Sequence, residues 1–253
     1  MLDPKVGRIS KFGLDNLVGP AIVGGVARNV PVSEASTQRA VDATDGQPTK
    51  RGRYAAGKET RRAILVAASR LFCERGIAGV SKPDIAHEAG VFPSQLGYYF
   101  GTKEALFVEA ACRDVLHLAS EVERAAARTR TPASYVRSLV RTALDSEALL
   151  FFAEAVLLVR MRPELAARVT DAFERLHREG ERAVVENLVA RGWRLRASAE
   201  AEARGFWAAL LGVTLERAAF GSAFRPATAE ATVQLVLNLY DVQAKNPRSE
   251  IET

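Results

Sequence analysis

Between Ser81 and Lys103 the chain reads SKPDIAHEAGVFPSQLGYYFGTK, two short helical patterns split by a glycine turn and closed by paired tyrosines. Ser81 is placed to cap the first pattern, Pro83 sits in its first turn, Ile85, Ala86 and Ala89 share its inner face, and Gly90 stops it. Pro93 to Phe100 forms the second. Upstream, Lys58 to Arg75 sets Ile64, Leu65, Ala68, Leu71 and Phe72 on one helical stripe that ends at Gly76. Two helices crossing at roughly 90 to 120° about a turn of about 3 to 4 residues place the second where it can lie in the major groove of DNA.

The charge distribution agrees with that placement. From Arg51 to Lys103 there are nine Lys or Arg and four acids, whereas the first fifty residues hold six bases against five acids, and the chain beyond Lys103 holds twenty against twenty-one. A net positive window confined to the two-helix unit suits a phosphate-facing surface. Cys73 and Cys112, the two cysteines, each fall within an apolar helical pattern and suggest neither a disulfide framework nor a zinc site, so a reducing cytoplasm is expected. No apolar run reaches the roughly 18 residues needed to span a bilayer. Lys5, Arg8 and Lys11 precede an apolar stretch, but Gly19, Pro20, Gly24 and Gly25 break it as an export signal.

The rest of the chain predicts an all-α fold. Residues 1–52, rich in Gly, Pro, Ser, Thr and Asp, are expected to be a disordered basic leader; 53–101 a three-helix helix-turn-helix domain; 102–246 a helical body; and 247–253 a disordered tail. Thr102 caps a long helix to about Ala127, and Thr131-Pro132 starts the next. Further helices span about Glu147 to Arg160 and Pro163 to Arg191, with Gly192 as a stop. Ser198 and Thr228 open the last two of about nine helices; these carry Phe206, Trp207, Leu210 and Leu211, and Leu235, Val236, Leu239 and Tyr240, faces rich enough to be buried within the chain or against a second copy.

From about Arg51 to Val115 the sequence resembles the DNA-binding domain of the tetracycline-repressor (TetR) family. The resemblance rests on Ile64, Ala67, Ala68, Leu71, Phe72, Gly76, Asp84-Ile85-Ala86, Ala89-Gly90-Val91, Leu96, Tyr99-Phe100 and Lys103-Glu104-Ala105-Leu106-Phe107. Beyond Val115 the likeness is one of architecture. It implies a ligand-responsive regulator of transcription, a repressor bound to a palindromic operator as a homodimer through its last two helices, and released by a small apolar or amphipathic effector.

Individual positions gain roles on that reading. Pro93, Ser94 and Gln95 open the reading helix, where Gln95 can pair with adenine N6 and N7 and Ser94 can donate or accept. Tyr98 faces DNA or the core, and the resemblance gives Tyr99 and Lys103 contacts with phosphate. Ser81 and Lys82 lie at a helix N-terminus favourable to phosphate. Arg51 and Arg53 belong to a basic arm that enters the minor groove or raises non-specific affinity. Two positions depart from the family pattern: Phe92 stands where a Ser or Thr cap is common, and Gly97 replaces a DNA-contacting tyrosine.

In the body, Phe151, Phe152, Val156, Phe173, Trp193 and Trp207 are candidates to line an effector cavity, with ordinary core packing as the alternative for each. No cofactor is implied. An enzyme is disfavoured by the three histidines and the lack of a nucleophile motif or phosphate loop; His117 and His177 have Glu121 and Glu181 four residues on, more suited to surface ion pairs than to a metal. A purely architectural DNA-binder is the remaining rival, and the long aromatic body argues against it.

Overall fold

The computed structural model describes residues 50–237 and 240–241. Among these residues nine α-helices carry almost the whole chain: α1 Lys50–Arg75, α2 Lys82–Ala89, α3 Pro93–Phe100, α4 Lys103–Ala126, α5 Pro132–Leu144, α6 Ala148–Leu158, α7 Ala166–Asn187, α8 Ala199–Phe220 and α9 Pro226–Val236. Two two-residue strands, β1 Trp193–Arg194 and β2 Tyr240–Asp241, pair antiparallel.

Four of the nine helix starts are fixed by side-chain caps. Ser81, Thr102, Thr131 and Ser198 each accept a hydrogen bond from the third backbone N–H inside their helix. Gly90 ends α2 in the left-handed conformation, φ 65°, where a side chain would be strained. Gly79, in the α1–α2 loop, is required for another reason: a Cβ there would lie 2.4 Å from the Arg75 carbonyl oxygen.

Three helices differ in extent from expectation. Helix α1 starts at Lys50 rather than near Lys58, so Arg51 and Arg53 are in helix instead of a loose arm, and residues 50–52 do not belong to an irregular leader. The added turns are held by a Lys58 ammonium 4.6 Å over the Tyr54 ring and a Thr60 hydroxyl donating to the Ala56 carbonyl; Gly57 lets the Tyr99 hydroxyl approach closely. Helix α7 is shorter at both ends, flanked by 3₁₀ turns at Pro163–Leu165 and Val189–Arg191. Helix α9 starts at Pro226, ahead of the expected Thr228, and ends at Val236, so Tyr240 lies in β2 and not on the last helix. The expected leader up to residue 49 and the tail 247–253 fall outside the described residues.

The small head of α1, α2 and α3 and the larger body share one core through α4. Phe72 of α1, Phe107 of α4 and Phe151 of α6 meet edge to face, with centroids 5.0 and 4.8 Å apart along the series. Leu106, Phe107 and Val108 are buried beside the head, while Val115, Leu118 and Val122 on the same helix are buried in the body. At its far end α4 is fastened by Arg191, whose guanidinium donates to the Ala127 and Thr129 carbonyls at 2.6 and 2.9 Å and lies over the Trp193 ring. Such bonds satisfy carbonyls that a helix C-terminus leaves unpaired.

Candidate nucleic-acid interface and cavity

The outward side of the head is set by what α3 buries. Leu96 and Phe100 face inward at 2% and 5% exposure, which leaves Pro93, Ser94, Gly97 and Tyr98 exposed, Tyr98 by 83%. Tyr98 is thus a surface group and not a buried aromatic; its ring meets Tyr99 edge to face at 5.0 Å. Tyr99 is half-buried against α1.

Several candidate contacts already hold the fold. The Ser81 hydroxyl donates to Asp84 Oδ2 at 2.6 Å and accepts from the Asp84 N–H, while Asp84 Oδ2 also accepts the Ser81 N–H at 2.8 Å. This closed capping box holds the Asp84 carboxyl below its ordinary value, first through the Ser81 hydroxyl. Lys82 Nζ donates to the Gly101 carbonyl at 2.8 Å, tying α2 to the end of α3. Lys103 Nζ donates to the Ile77 and Val80 carbonyls at 2.7 and 2.8 Å, so two of its three protons brace the α1–α2 loop. Gln95 supplies the partner that the Phe92 position lacks: its Oε1 accepts the Phe92 N–H at 3.0 Å. Pairing with adenine in the bidentate manner would need that oxygen back.

Ionic contacts link head and body at one carboxylate. Glu109 of α4, 17% exposed, pairs with Arg61 of α1 and, at 2.7 Å, with Arg168 of α7. The Arg61 guanidinium also lies 5.1 Å over the Phe100 ring, at the end of α3. The sequence offers no hint of this bridge, because its members are 48 and 59 residues apart.

The body holds a cavity of about 50 Å³ between α4, α5, α7 and α8, lined in part by Val122, Tyr135, Gly180, Val184, Phe206 and Trp207. Burial pushes the Tyr135 hydroxyl up to about 12, so it stays protonated. Trp207 Nε1 is buried with no hydrogen-bond partner among the described residues. Gly180 makes room for it: a Cβ there would lie 3.4 Å from Nε1. Glu123 and Glu179, also at the wall, are matched by Arg182 at 3.4 Å and Arg175 at 2.6 Å.

Of the six aromatic and aliphatic candidates, Trp207 alone lines this cavity. Phe151 packs on Phe107, Phe152 on Phe173 at 5.0 Å, and Trp193 on Tyr135 at 5.6 Å, while Val156 is half-buried against the core. Tyr135 and Gly180 are cavity residues that sequence reasoning misses; Gly180, like the other small residues of the wall, leaves no aromatic signal. No metal-binding cluster occurs among the described residues. His117 pairs with Glu121 at 3.4 Å, as its spacing suggests, but His177 accepts from Arg204 at Nδ1, 3.2 Å, and is lowered chiefly by burial.

The Phe92 and Tyr98 rings remain the largest exposed apolar groups on the α3 side of the head. On α8 and α9, Leu215, Phe220 and Leu235 are exposed by 48%, 61% and 77%. No described helix is long and apolar enough to cross a membrane.

The chain is similar to known proteins. The model for bacterial regulatory proteins of the tetR family matches residues 64–110, and that for the C-terminal part of bacterial transcriptional repressors matches residues 132–236. The HTH-type transcriptional regulator BetI of Brucella canis is 28% identical over 176 residues, 69% of this chain and 87% of that protein. BetI of Brucella anthropi is 29% identical over 129 residues, 51% of this chain and 65% of that protein, so the aligned part spans just under two thirds of it. A transcriptional regulator of known structure from Rhodococcus sp. RHA1 is 36% identical with a TM-score of 0.65, over 71% of this chain and 95% of that one.

Proposed function

The chain belongs to the TetR family of bacterial transcriptional regulators, DNA-binding and ligand-responsive proteins without enzymatic activity, and from that premise we propose that it is a homodimeric repressor whose operator complex is dissolved by a small, neutral, mostly apolar effector. The observation that carries this reading is that one helix, α4, both closes the core of the head and walls the cavity. A molecule entering there bears on the helix on which the head is seated.

The exposed groups of α3, chiefly Pro93, Ser94 and Tyr98, face the major groove, and Gln95 joins them by exchanging its bond to Phe92 for one to a base. Tyr99, Lys82 and the remaining proton of Lys103 lie towards phosphate, with Ser81 at the mouth of α2 and Arg51 and Arg53 on the first turns of α1. Leu215 and Leu235, with Ala208, Gly212 and Ala231 exposed beside them, make the face by which two copies pair. Among the described residues nothing lies within 4 Å of a Cβ built on Gly212, which leaves that spot to a partner. Paired heads read successive major grooves when held about 34 to 36 Å apart.

The cavity supports the effector class. Its wall is apolar, its glutamates are already matched by arginines, and its unpaired group is a donor, Trp207 Nε1–H. A neutral molecule with one acceptor fits that inventory better than an ion. Because about 50 Å³ is far below the roughly 300 Å³ of ordinary ligand sites, occupancy has to part α7 from α8. Movement of α7 pulls on Arg168, and through Glu109 on Arg61 and Phe100. An effector that prefers the parted state shifts the dimer away from DNA, whereas equal affinity for both states shifts nothing. A reducing cytoplasm is the compartment for such a protein.

The test is selection of bound sequences from random DNA by the purified chain at low salt, followed by a screen for small molecules that release the enriched site. An inverted repeat bound by a dimer is expected; no enrichment over random sequence overturns the reading.

A further inference from the structure

The reading helix is short of polar groups free to address bases, and rich in bare apolar surface. Phe92, at its N-cap, is 77% exposed; only its backbone is engaged, through the N–H donated to Gln95 Oε1 and the carbonyl that accepts the Gln95 N–H at 2.9 Å. Pro93 beside it is exposed and has no N–H to offer. One turn further along the same face stands Gly97, where even a Cβ would meet nothing within 4 Å. A Ser or Thr at position 92 would have capped the helix and presented a hydroxyl. Here the cap is delegated to Gln95, which ties up the best hydrogen-bonding side chain of the helix and leaves a benzyl group facing outward.

In the major groove the base-pair feature suited to such a surface is the C5-methyl group of thymine, since the other distinguishing groups there are hydrogen-bond donors and acceptors. We infer that Phe92, backed by Pro93, is a specificity-determining residue that reads thymine by apolar contact with its methyl group in each half-site. The inference rests on the DNA-binding reading above. The open face at Gly97 lets the helix approach the base edges closely enough for that contact, and the net basic head supplies the attraction that brings it there. The Phe92 ring is thereby covered on binding, which accounts for a large apolar side chain left exposed at the mouth of the helix.

The experiment uses the full chain and its selected operator. Each thymine is replaced in turn by deoxyuridine, which lacks only the methyl group, and affinities are measured by fluorescence anisotropy. At one thymine per half-site the replacement is expected to weaken binding about four-fold, the value of one buried methyl group. Phe92→Ala weakens binding to the thymine operator by a similar factor or more and becomes indifferent to uracil there, whereas Ser94→Ala keeps the sensitivity. Phe92 packs on nothing inside the head, so circular dichroism of the variant matches the parent. An operator indifferent to uracil at every position, or a Phe92→Ala protein that still distinguishes thymine from uracil, overturns this inference alone. Failure to enrich any sequence removes the DNA-binding reading and the inference with it.

Discussion

Lys103 separates two roles that one ammonium group can play. Its Nζ donates to the carbonyls of Ile77 and Val80 at 2.7 and 2.8 Å, spanning the loop that sets α2 against α1. Lys103→Met keeps the aliphatic stem and removes both charge-assisted bonds. Each such bond is worth about 1.5 to 3 kcal/mol, but the carbonyls are only partly buried and regain water, so we expect a total loss of about 2 kcal/mol. For a domain of this size that lowers the unfolding midpoint by about 4 to 8 °C, measurable by thermal and urea denaturation. DNA binding is then measured against salt at a temperature where both proteins are folded. If the substitution also removes one phosphate-neutralising charge from each protomer, the slope becomes shallower by about 0.9 per site, or about 1.8 for a dimer. An unchanged midpoint accompanied by that shallower slope would refute the reasoning, since the carbonyl bonds would then contribute nothing.

Leu215→Glu should convert the dimer to monomer: two half-exposed leucines lose roughly 3 kcal/mol of apolar burial between them, on the order of 100-fold in the dimer constant, and sedimentation of a dimer at the same concentration would contradict it. Ser81→Ala should lower stability most at neutral pH. Because Asp84 is held below its ordinary value of 3.8, its share of the stability is present above that pH and lost as the pH falls through the lower folded value, so the gap between variant and parent should close in acid; a gap independent of pH would count against the capping box. Cys112, buried, has its thiol pushed up to about 12, so at pH 8 its thiolate is about one in ten thousand, against roughly a quarter for a free thiol. Iodoacetamide should therefore label it on the order of two thousand-fold more slowly than a free thiol in the native protein, and peptide mapping that finds rapid labelling would show that the burial is wrong.

The helices of the fold are readable because their starts are written locally. Ser81, Thr102, Thr131 and Ser198 each sit one residue before a helix and cap it. Sequence and structure part where a tertiary contact overrides local preference. The first helix is expected from Lys58, yet α1 begins at Lys50, where the Tyr99 hydroxyl packs at Gly57 and Lys58 covers Tyr54. At the other end, apolar residues beyond Val236 suggest more helix, while the backbone turns at Leu237 and Tyr240 pairs with Arg194. The cavity escapes sequence reading for a general reason: large aromatic side chains satisfy one another, as Phe72, Phe107 and Phe151 do, and so fill space instead of enclosing it. The space remains where α7 and α8 approach through Gly180, Ala183 and Ala203, residues that carry no signal in sequence.

The exposed face of α3 is legible in its position but not in its chemistry, and the difference lies in double use of side chains. The net charge over residues 51–103 counts Arg61, Arg70 and Lys103 as equals of any phosphate-facing base. In the fold Arg61 is matched by Glu109, Arg70 by Glu74 and Glu88, and Lys103 by two carbonyls. Charge engaged in this way still adds to the long-range field that draws the head towards DNA, but it is not released to individual phosphates without breaking bonds within the fold. The same double use governs base recognition. With Gln95 bound to Phe92 and Gly97 lacking a side chain, the free groups of α3 are one hydroxyl, one phenol and an apolar rim formed by Phe92 and Pro93. On the proposed reading, a helix so furnished is expected to discriminate by shape and methyl contact more than by paired hydrogen bonds. The departure from the family pattern at Phe92 is therefore where this chain's operator should differ from those of relatives that cap the helix with a hydroxyl.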